Sequence, residues 1–399
     1  MKTNWKVIKN FSLIALIAIV FASCSEDMTL KQETYDDALA LPNPTLDFTN
    51  INIPNPTFST EADNVIRMDL AGILNPITKE WLELVSSNAL RAGSSAIATV
   101  YVEVDGTPKY ILVSLPDPTD ANKLVDYVFL VDNSGSMSEE ANAVADEIVA
   151  YAKYLAEQGL DIRFGCVGYE SGVDGALNFT DSTGINDYLN KRTTVALNRT
   201  RGFSGADATS LQTAAGNYQH GRDECGSEAF RYADENFSFR NNSSVYYLNL
   251  TDEPNQPNGL AEWGVEWTKD PSKWRQQRGT IHTVFSQDTT YYTGYWNSYN
   301  ERPWLMSEYT GGTTLFVNSA FTEIRSGAAA PSASMRATYN EHISLTVLPV
   351  TGAIVNSTII RFKNTSTVPD GEHEVKITIQ TTDKLVQGEK VFTNVTFQE

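Results

Sequence analysis

From residue 124 to residue 327, apolar strand-like runs alternate with segments of helical periodicity. The strand-like runs include "DYVFLV", "DIRFGCVGY", "VYYLNL" and "TIHTVFS". The segments between them, such as "SEEANAVADEIVAYAKYLAEQG" and "ECGSEAFRYADENF", repeat apolar residues every three or four positions. Strands that alternate with helices run parallel, and the helices cover both faces of the sheet. The alternation therefore predicts a doubly wound, mostly parallel α/β domain over residues 124–327.

The sequence on either side of this domain is typical of β-structure. Short strand-like runs occur over residues 61–123 and again over residues 328–399. In "AIATVYVEVDGTPKYILVSL", Asp105-Gly106 separates two such runs, which predicts a hairpin. Beyond the α/β domain, "HISLTVLPV" and three later runs also predict strands. We therefore expect a β-sandwich formed by both flanks, with the α/β domain inserted in it.

The first 23 residues are typical of an export signal, because lysines precede an apolar run of 11 residues that is too short to span a bilayer. The "FASC" that follows resembles the lipobox of bacterial lipoproteins. This resemblance implies a lipid on Cys24. Glu26 and Asp27, which follow Cys24, resemble surface-export signals of some Gram-negative lipoproteins, and this implies an outer-membrane anchor on the cell surface of a Gram-negative bacterium. The alternative is an ordinary cleaved signal with an incidental Cys24. Residues 24–60, which are rich in Pro, Asn and Thr, predict a tether.

The charge balance restricts the classes of partner. The formal net charge is -19 at pH 7, which argues against nucleic acid and leaves the lipid anchor as the predicted membrane contact. The four histidines are scattered, and no HExxH, GxSxG or phosphate-loop motif occurs. We therefore predict a protein that is not an enzyme, with a metal-dependent hydrolase as an alternative.

The stretch "VDNSGSMSEE" places oxygen-bearing side chains directly after an apolar strand. Asp132, Ser134 and Ser136 follow "DYVFLV" at the carboxyl end of that strand, where doubly wound sheets bind ligands. Asp252 ends a second strand in "LNLTDEPN", and Glu224 precedes a helix in "DECGSEAF". Carboxylate and hydroxyl oxygens suit a hard divalent cation. These five residues therefore predict a site for Mg²⁺ or Mn²⁺ at one edge of the sheet.

Taken together, "DNSGSM", "LTDE" and "SEYTGG" resemble the metal-ion-dependent adhesion site of von Willebrand factor A (VWA) domains, over about half of the chain. The resemblance implies that Ser134, Ser136 and Glu224 coordinate the metal. Asp132 and Asp252 would bind it directly or through water. One position would stay open for a partner's carboxylate, so the expected ligand is a protein or another molecule that carries a carboxylate.

Glu224 is chosen because the third loop resembles the glutamate form of the integrin β subunit, whose domain is also inserted in a β-sandwich. In that form, two acids after the serine motif hold a second, calcium-binding site. Glu139 and Glu140 stand at those two positions, although acids are also favoured in the first turn of any helix. Asp207 and Thr209 in "GADATS" are rivals of Glu224, but their distance from the second aspartate is long for the fold.

The segment "DTTYYTGYWNSYNERPW", residues 288–304, follows "TIHTVFS" and should lie at the same edge of the sheet. Its composition of Tyr, Ser, Asn, Gly and Trp is typical of binding surfaces. Tyr291, Tyr292, Tyr295 and Trp296 are therefore candidate ligand-binding residues. The alternative is that these aromatic side chains fold back and cap the sheet.

Besides the hydrolase alternative, two classes of function fit these features. The first is a surface lipoprotein that binds its ligand through the metal. The second is a structural anchor or tip subunit of a surface fibre or an envelope complex.

Cys166 and Cys225 leave a further choice open, because they either pair in an exported chain or stay reduced as small buried residues.

Overall fold

A computed structural model describes residues 35–88, 97–114, 124–138, 145, 148–149, 152–153, 155–156, 160–190, 200, 202–219, 224–241, 243–256, 260–270, 273–274, 279–317, 348–365 and 371–397. Contacts divide the chain into two units, Met1–Asp36 and Asp37–Glu399. Cys24, Glu139 and Glu140 lie outside the described residues. Within the described ranges, no helix has both the length and the apolar character needed to cross a membrane.

The larger unit mixes strands and helices. The strands are β1 (Thr57–Glu61), β2 (Val65–Leu70), β3 (Glu83–Ser86), β4 (Ile97–Val104), β5 (Thr107–Pro108), β6 (Ile111–Ser114), β7 (Leu124–Asp132), β8 (Asp161–Tyr169), β9 (Val173–Thr180), β10 (Ser244–Thr251), β11 (Thr280–Phe285), β12 (Thr314–Phe316), β13 (Thr358–Lys363), β14 (Glu372–Thr381) and β15 (Gln387–Thr396). The helices are α1 (Ser182–Asn190), α2 (Ala208–Ala215), α3 (Gly226–Asn236), α4 (Leu260–Lys269), α5 (Thr293–Tyr299), α6 (Leu305–Thr310) and α7 (Leu348–Val355). Described residues between 145 and 156 are also helical.

A six-stranded sheet forms the centre of the α/β part, in the order β12-β11-β10-β7-β8-β9. Strands β12, β11, β10, β7 and β8 are parallel, whereas β9 is antiparallel to β8. The predicted α/β class with a mostly parallel sheet is therefore confirmed. Strand β9 was not predicted, because "VDGALNFT" interrupts its apolar residues with Asp, Gly and Asn.

Helices cover both faces of this sheet, and successive side chains of each strand point to opposite faces. On the first face, Tyr127, Phe129 and Val131 pack with residues of the helical 145–156 segment, α1 and α7. On the second face, Val128 and Leu130 pack with residues of α2, α3, α4 and α6. This double cover explains why the central strands are buried along their length, and it leaves the strand ends as the accessible part of the sheet.

The two flanks form two further sheets. One has the order β1-β2-β13-β6, and the other has the order β15-β14-β4-β3 with β5 paired to β4. Each sheet contains strands from before and after the α/β part, and both contribute side chains to one hydrophobic cluster. The predicted β-structure of the flanks is thus present in the described residues.

The predicted hairpin at Asp105-Gly106 is shorter than expected. Both residues have positive φ, 51° and 73°, as a tight turn between β4 and β5 requires. The pairing of β5 covers only Thr107 and Pro108, and the following strand β6 pairs with β13 in the other sheet. The Lys109 N–H still donates to the Val102 carbonyl oxygen at 2.9 Å, so the pairing ends where the chain crosses to the other sheet and not at Pro108.

Two sequence interpretations are corrected. The run "HISLTVLPV" was predicted as a strand, but its last residues begin helix α7, and residues 342–347 lie outside the described residues. Val350, Ala353 and Ile354 recur at helical spacing and are buried against the first face of the sheet. The helix predicted over "GLAEWGVEWTKDPSKWRQQ" ends at Lys269, because the residue before a proline disfavours the α conformation and Pro271 follows directly after Asp270.

Cys166 and Cys225 are both buried free thiols. Cys166 packs on the first face of the sheet, whereas α3, which begins directly after Cys225, packs on the second face. The Cys225 thiol donates instead to the carbonyl oxygen of Glu170 at 3.3 Å. Burial raises the pKa of both thiols. Pairing is therefore not the state of these two cysteines in this structure.

His282 in β11 predicts a pH dependence of stability. Its side chain is buried, Nδ1 accepts the Thr313 N–H at 3.0 Å, and burial lowers its pKa to about 3. Below the ordinary histidine pKa of about 6.5, the unfolded chain takes up a proton that the folded chain does not. The free energy of unfolding therefore decreases by about 1.4 kcal/mol for each unit by which the pH is lowered. Between pH 7 and pH 5, the stability of the wild type should fall by about 2 kcal/mol more than that of His282→Gln in urea unfolding. Equal pH dependence would contradict this.

Candidate metal site

Asp132 is the last residue of β7 and lies at the carboxyl edge of the sheet. Its side chain is buried, with 1% of the residue exposed. Oδ1 accepts the backbone N–H of Ser134 at 2.8 Å, and Oδ2 accepts the Thr251 hydroxyl at 2.7 Å. The chain can turn sharply here because a short 3₁₀ turn, Gly135–Ser138, follows the strand. Both donors are neutral, so these two contacts fix the carboxylate without compensating its charge.

A chain of hydrogen bonds joins the serine motif to the end of β10. The hydroxyls of Ser134 and Ser136 share a hydrogen bond of 2.8 Å, and Ser136 Oγ donates to Asp252 Oδ1 at 3.0 Å. Ser134 and Asp252 are buried, whereas Ser136 is exposed. The structure thus brings together four of the five predicted residues, and their oxygens lie between the buried end of the sheet and solvent.

The electrostatics of this group favour a cation. Burial, and secondly the neighbouring Asp252 carboxylate, raise the pKa of Asp132 to about 7. An isolated buried carboxylate is costly, and a second one close by adds repulsion. A divalent cation at this place would offset both contributions.

Glu224 lies at the same edge but outside the hydrogen-bonded group. Burial and the carboxylates of Glu253 and Asp132 raise its pKa. With Glu253, Tyr169 and Thr251 it lines a narrow crevice. Its backbone oxygen accepts the Gln256 N–H at 2.7 Å, which ties its loop to the one that carries Asp252.

The donor set suits a hard metal ion. Among the described residues, no three His, Cys, Asp or Glu side chains gather closely enough to hold a metal by themselves. The two aspartates and two serines instead present only oxygen atoms, the ligand type that Mg²⁺ prefers, and Mg²⁺ commonly uses one or two carboxylates and keeps several waters. The residues present therefore fit Mg²⁺ or Mn²⁺.

The rivals of Glu224 lie at the opposite edge of the sheet. Asp207 accepts a hydrogen bond from Asn178 Nδ2 at 2.8 Å, and the same amide contacts Ser238. The carbonyl oxygen of Ser238 accepts from Arg163, whose guanidinium also bonds Asp126 near the start of β7. Thr209, two residues beyond Asp207, lies in the first turn of α2 at that edge. Neither residue is close to the serine motif.

The sequence left open whether the aromatic segment is a binding surface or caps the sheet, and its side chains are divided between these two arrangements. Tyr292 and Trp304 are buried with Phe285, and Trp296 packs against them. Tyr291 and Tyr295 instead project to solvent, with 76% and 40% of each residue exposed. Burial raises the pKa of Tyr292. The carboxylates of Glu253 and, to a smaller extent, Asp252 in the metal-site loop raise it further. The segment is thus a packed aromatic base that carries two exposed tyrosines beside the acidic edge.

Sequence reasoning missed several neighbours of the site. Thr251 and Glu253 flank Asp252 in the quoted "LTDE", and their position beside a candidate ligand was the available signal. Thr200 is more remote in sequence, and its hydroxyl donates to Asn133, the residue after Asp132. A side chain in place of Gly168 would collide with both Asn133 and Thr200, so glycine permits this contact.

No protein-family model matches the chain, and no curated protein matches it. Among solved structures, it is similar to the pilus adhesin SpaC from Lactobacillus rhamnosus GG, with 9% identity and a TM-score of 0.33, over 86% of this chain and 56% of the adhesin. It is also similar to VWA2, the ArnB paralog from Sulfolobus acidocaldarius, with 9% identity and a TM-score of 0.30, over 88% of this chain and 74% of that one. This chain thus spans little more than half the length of the adhesin. TM-scores of this size do not by themselves establish a common fold.

Proposed function

We propose that this chain is a surface lipoprotein whose VWA-type domain binds a protein or another carboxylate-bearing ligand through a divalent metal. The observation that carries the proposal is the hydrogen-bonded group of Asp132, Ser134, Ser136 and Asp252 at the carboxyl edge of a parallel sheet. We place the domain at residues 124–327, inserted in a β-sandwich of residues 61–123 and 328–399. Support for the insertion comes from the two flank sheets, each of which combines strands from both sides.

Ser134, Ser136, Asp132 and Asp252 would hold Mg²⁺ or Mn²⁺, with Glu224 as the third-loop ligand. The bound ion would supply an electrophilic position that accepts a carboxylate oxygen from the partner. The chain's own residues keep that position specific: the buried aspartates supply charge, and the exposed Ser136 lies on the solvent side. Glu139 and Glu140 are proposed for a second, calcium-binding site.

The exposed tyrosines would supply contact area around the metal. Tyr291 and Tyr295 project beside the acidic edge, while Tyr292 and Trp296 support them from beneath. Tyrosine offers a large amphipathic surface with few rotatable bonds, so little conformational entropy is lost when it is buried by a partner. We therefore assign specificity to this segment and the essential attraction to the metal.

Without the metal, the edge would repel the proposed ligand, because Asp132, Asp252, Glu253 and Glu224 are all acids. Partner captured by the immobilised chain in Mg²⁺ should therefore be released by EDTA, with at least about a 100-fold loss of affinity, since a paired charge becomes a like-charge contact. Ser134→Ala should fail to capture partner even in Mg²⁺, whereas Ser210→Ala, in α2 and away from the metal-site edge, should behave as wild type. Capture that is indifferent to chelation would favour the structural-anchor function, and turnover of a substrate would favour a hydrolase.

We also propose that the mature chain begins at Cys24 and is anchored in the outer membrane by a lipid on that residue. Mass spectrometry of the membrane fraction should find a diacylglyceryl-modified Cys24 and no peptide from residues 1–23. Cys24→Ser should move the protein from the membrane to the soluble fraction. An intact Met1 end, or an unmodified Cys24 in the membrane fraction, would contradict the proposed anchor.

A further inference from the structure

Thr251 occupies the point where the two aspartate-bearing loops meet. It is the last residue of β10 and only 2% exposed. Strand β10 pairs with β7 in parallel, with Leu250 opposite Val131, so Thr251 lies level with Asp132. We infer that Thr251 is a positioning residue for the proposed metal site, an inference that rests on the proposed function. It does not contact the metal in this role; it orients Asp132 and the loop that carries Asp252.

The hydrogen bonds of the Thr251 hydroxyl support this role. A hydroxyl has one proton to donate and two lone pairs that accept. The Asp132 Oδ2 atom lies 2.7 Å away and the Glu253 carbonyl oxygen 3.4 Å away, so the proton goes to Asp132. The backbone N–H of Glu253 donates back to the hydroxyl at 3.3 Å. One side chain therefore connects the end of β7 to the residue directly after Asp252.

The contact also completes the support of Asp132. The Ser134 N–H holds Oδ1, and the Thr251 hydroxyl holds Oδ2. Each carboxylate oxygen has a second lone pair, so both remain able to bind a metal or its water. If the Thr251 hydroxyl were removed, Oδ2 would lose its donor, and repulsion from Asp252 would be free to turn the carboxylate away.

Loss of this support should affect one ion more than another. Mg²⁺ requires near-ideal octahedral geometry, whereas Ca²⁺ accepts variable geometry and coordination number. A site whose carboxylate is no longer held in place should therefore lose Mg²⁺ affinity while it largely keeps its Ca²⁺ affinity. The ratio of the two affinities separates a positioning role from a general contribution to packing.

The test is calorimetric titration of the full chain with MgCl₂ and with CaCl₂, in a Glu139→Gln and Glu140→Gln background that removes the proposed second calcium site. The otherwise wild-type chain is compared with Thr251→Val and Thr251→Ser in that background. Valine has nearly the same shape without the hydroxyl, and serine keeps the hydroxyl. We expect Thr251→Val to weaken Mg²⁺ binding by about 10- to 100-fold, the usual effect of losing an outer contact to a metal ligand, and Ca²⁺ binding by less than about threefold. Thr251→Ser should stay within about threefold of wild type for both ions.

Three outcomes would overturn the inference. Unchanged Mg²⁺ affinity in Thr251→Val would show that the hydroxyl does not position the site. Equal loss of both ions in both variants, with a lower thermal midpoint, would show a packing role instead. A wild-type chain that binds neither ion would refute the proposed function itself, and the inference with it; the first two outcomes leave the proposed function standing.

Discussion

Asp252→Ala should lower the affinity for Mg²⁺ by about 100-fold or more, since loss of an outer-shell contact alone typically costs 10- to 100-fold. The change removes a carboxylate that accepts the Ser136 hydroxyl at 3.0 Å and faces the buried Asp132. The fold should not suffer, because two like charges that repel each other become one. Calorimetric titration with MgCl₂ measures the affinity, and the urea midpoint without metal should stay equal or rise.

Two variants make this result specific. Asp252→Asn keeps an oxygen for the Ser136 hydroxyl but loses the charge, so a large loss there assigns the effect to charge. Asp207→Ala removes another aspartate, which is exposed and lies at the opposite edge of the sheet, and its Mg²⁺ affinity should match wild type. If Asp252→Ala binds Mg²⁺ as wild type does, the assignment of this edge as the metal site is wrong.

Asp126→Ala should lower the free energy of unfolding by about 3–5 kcal/mol, the usual effect of breaking a buried ion pair from one side. The Asp126 side chain is fully buried and accepts both Nε and Nη2 of Arg163 at 3.0 Å. It also accepts Arg240 Nε at 3.0 Å, the Arg240 N–H at 2.7 Å and the Ser243 hydroxyl at 3.0 Å. Alanine would leave two guanidinium groups, 29% and 19% exposed, without this acceptor.

The measurement is urea unfolding, with Asp161→Ala as the matched control. Asp161 binds the same Arg240 at 2.7 Å, but its side chain is 57% exposed, so its loss should cost less than about 1 kcal/mol. Asp126 lies near the start of β7 and Asp132 at its end, so the folded fraction of Asp126→Ala should bind Mg²⁺ with wild-type affinity. If Asp126→Ala lowered the free energy of unfolding by less than about 1 kcal/mol, this network would not be what stabilises the edge of the sheet opposite the metal site.

Local sequence determined the serine motif and the class of the central sheet. Asp132, Ser134 and Ser136 lie within five residues, so a single turn after β7 brings them together without any contact from distant parts of the chain. The alternation of strands and helices also predicted that Asp252 would reach the same edge, although it is 116 residues from Ser136. This worked because parallel strands present all their carboxyl ends at one edge.

Tertiary structure decided the features that depend on which side chains face each other. Thr251 became a neighbour of Asp132 only through the register of β10 against β7. The same dependence explains the division of the aromatic segment, where Tyr292 is buried against Phe285 and the adjacent Tyr291 is exposed. It also explains α7, since "LPVTGAIV" is apolar enough for a strand and becomes a helix where Val350, Ala353 and Ile354 meet the sheet. A sequence pattern indicates which residues are apolar enough to be buried. The surface that covers them is formed by distant parts of the chain, and it determines which contacts they make.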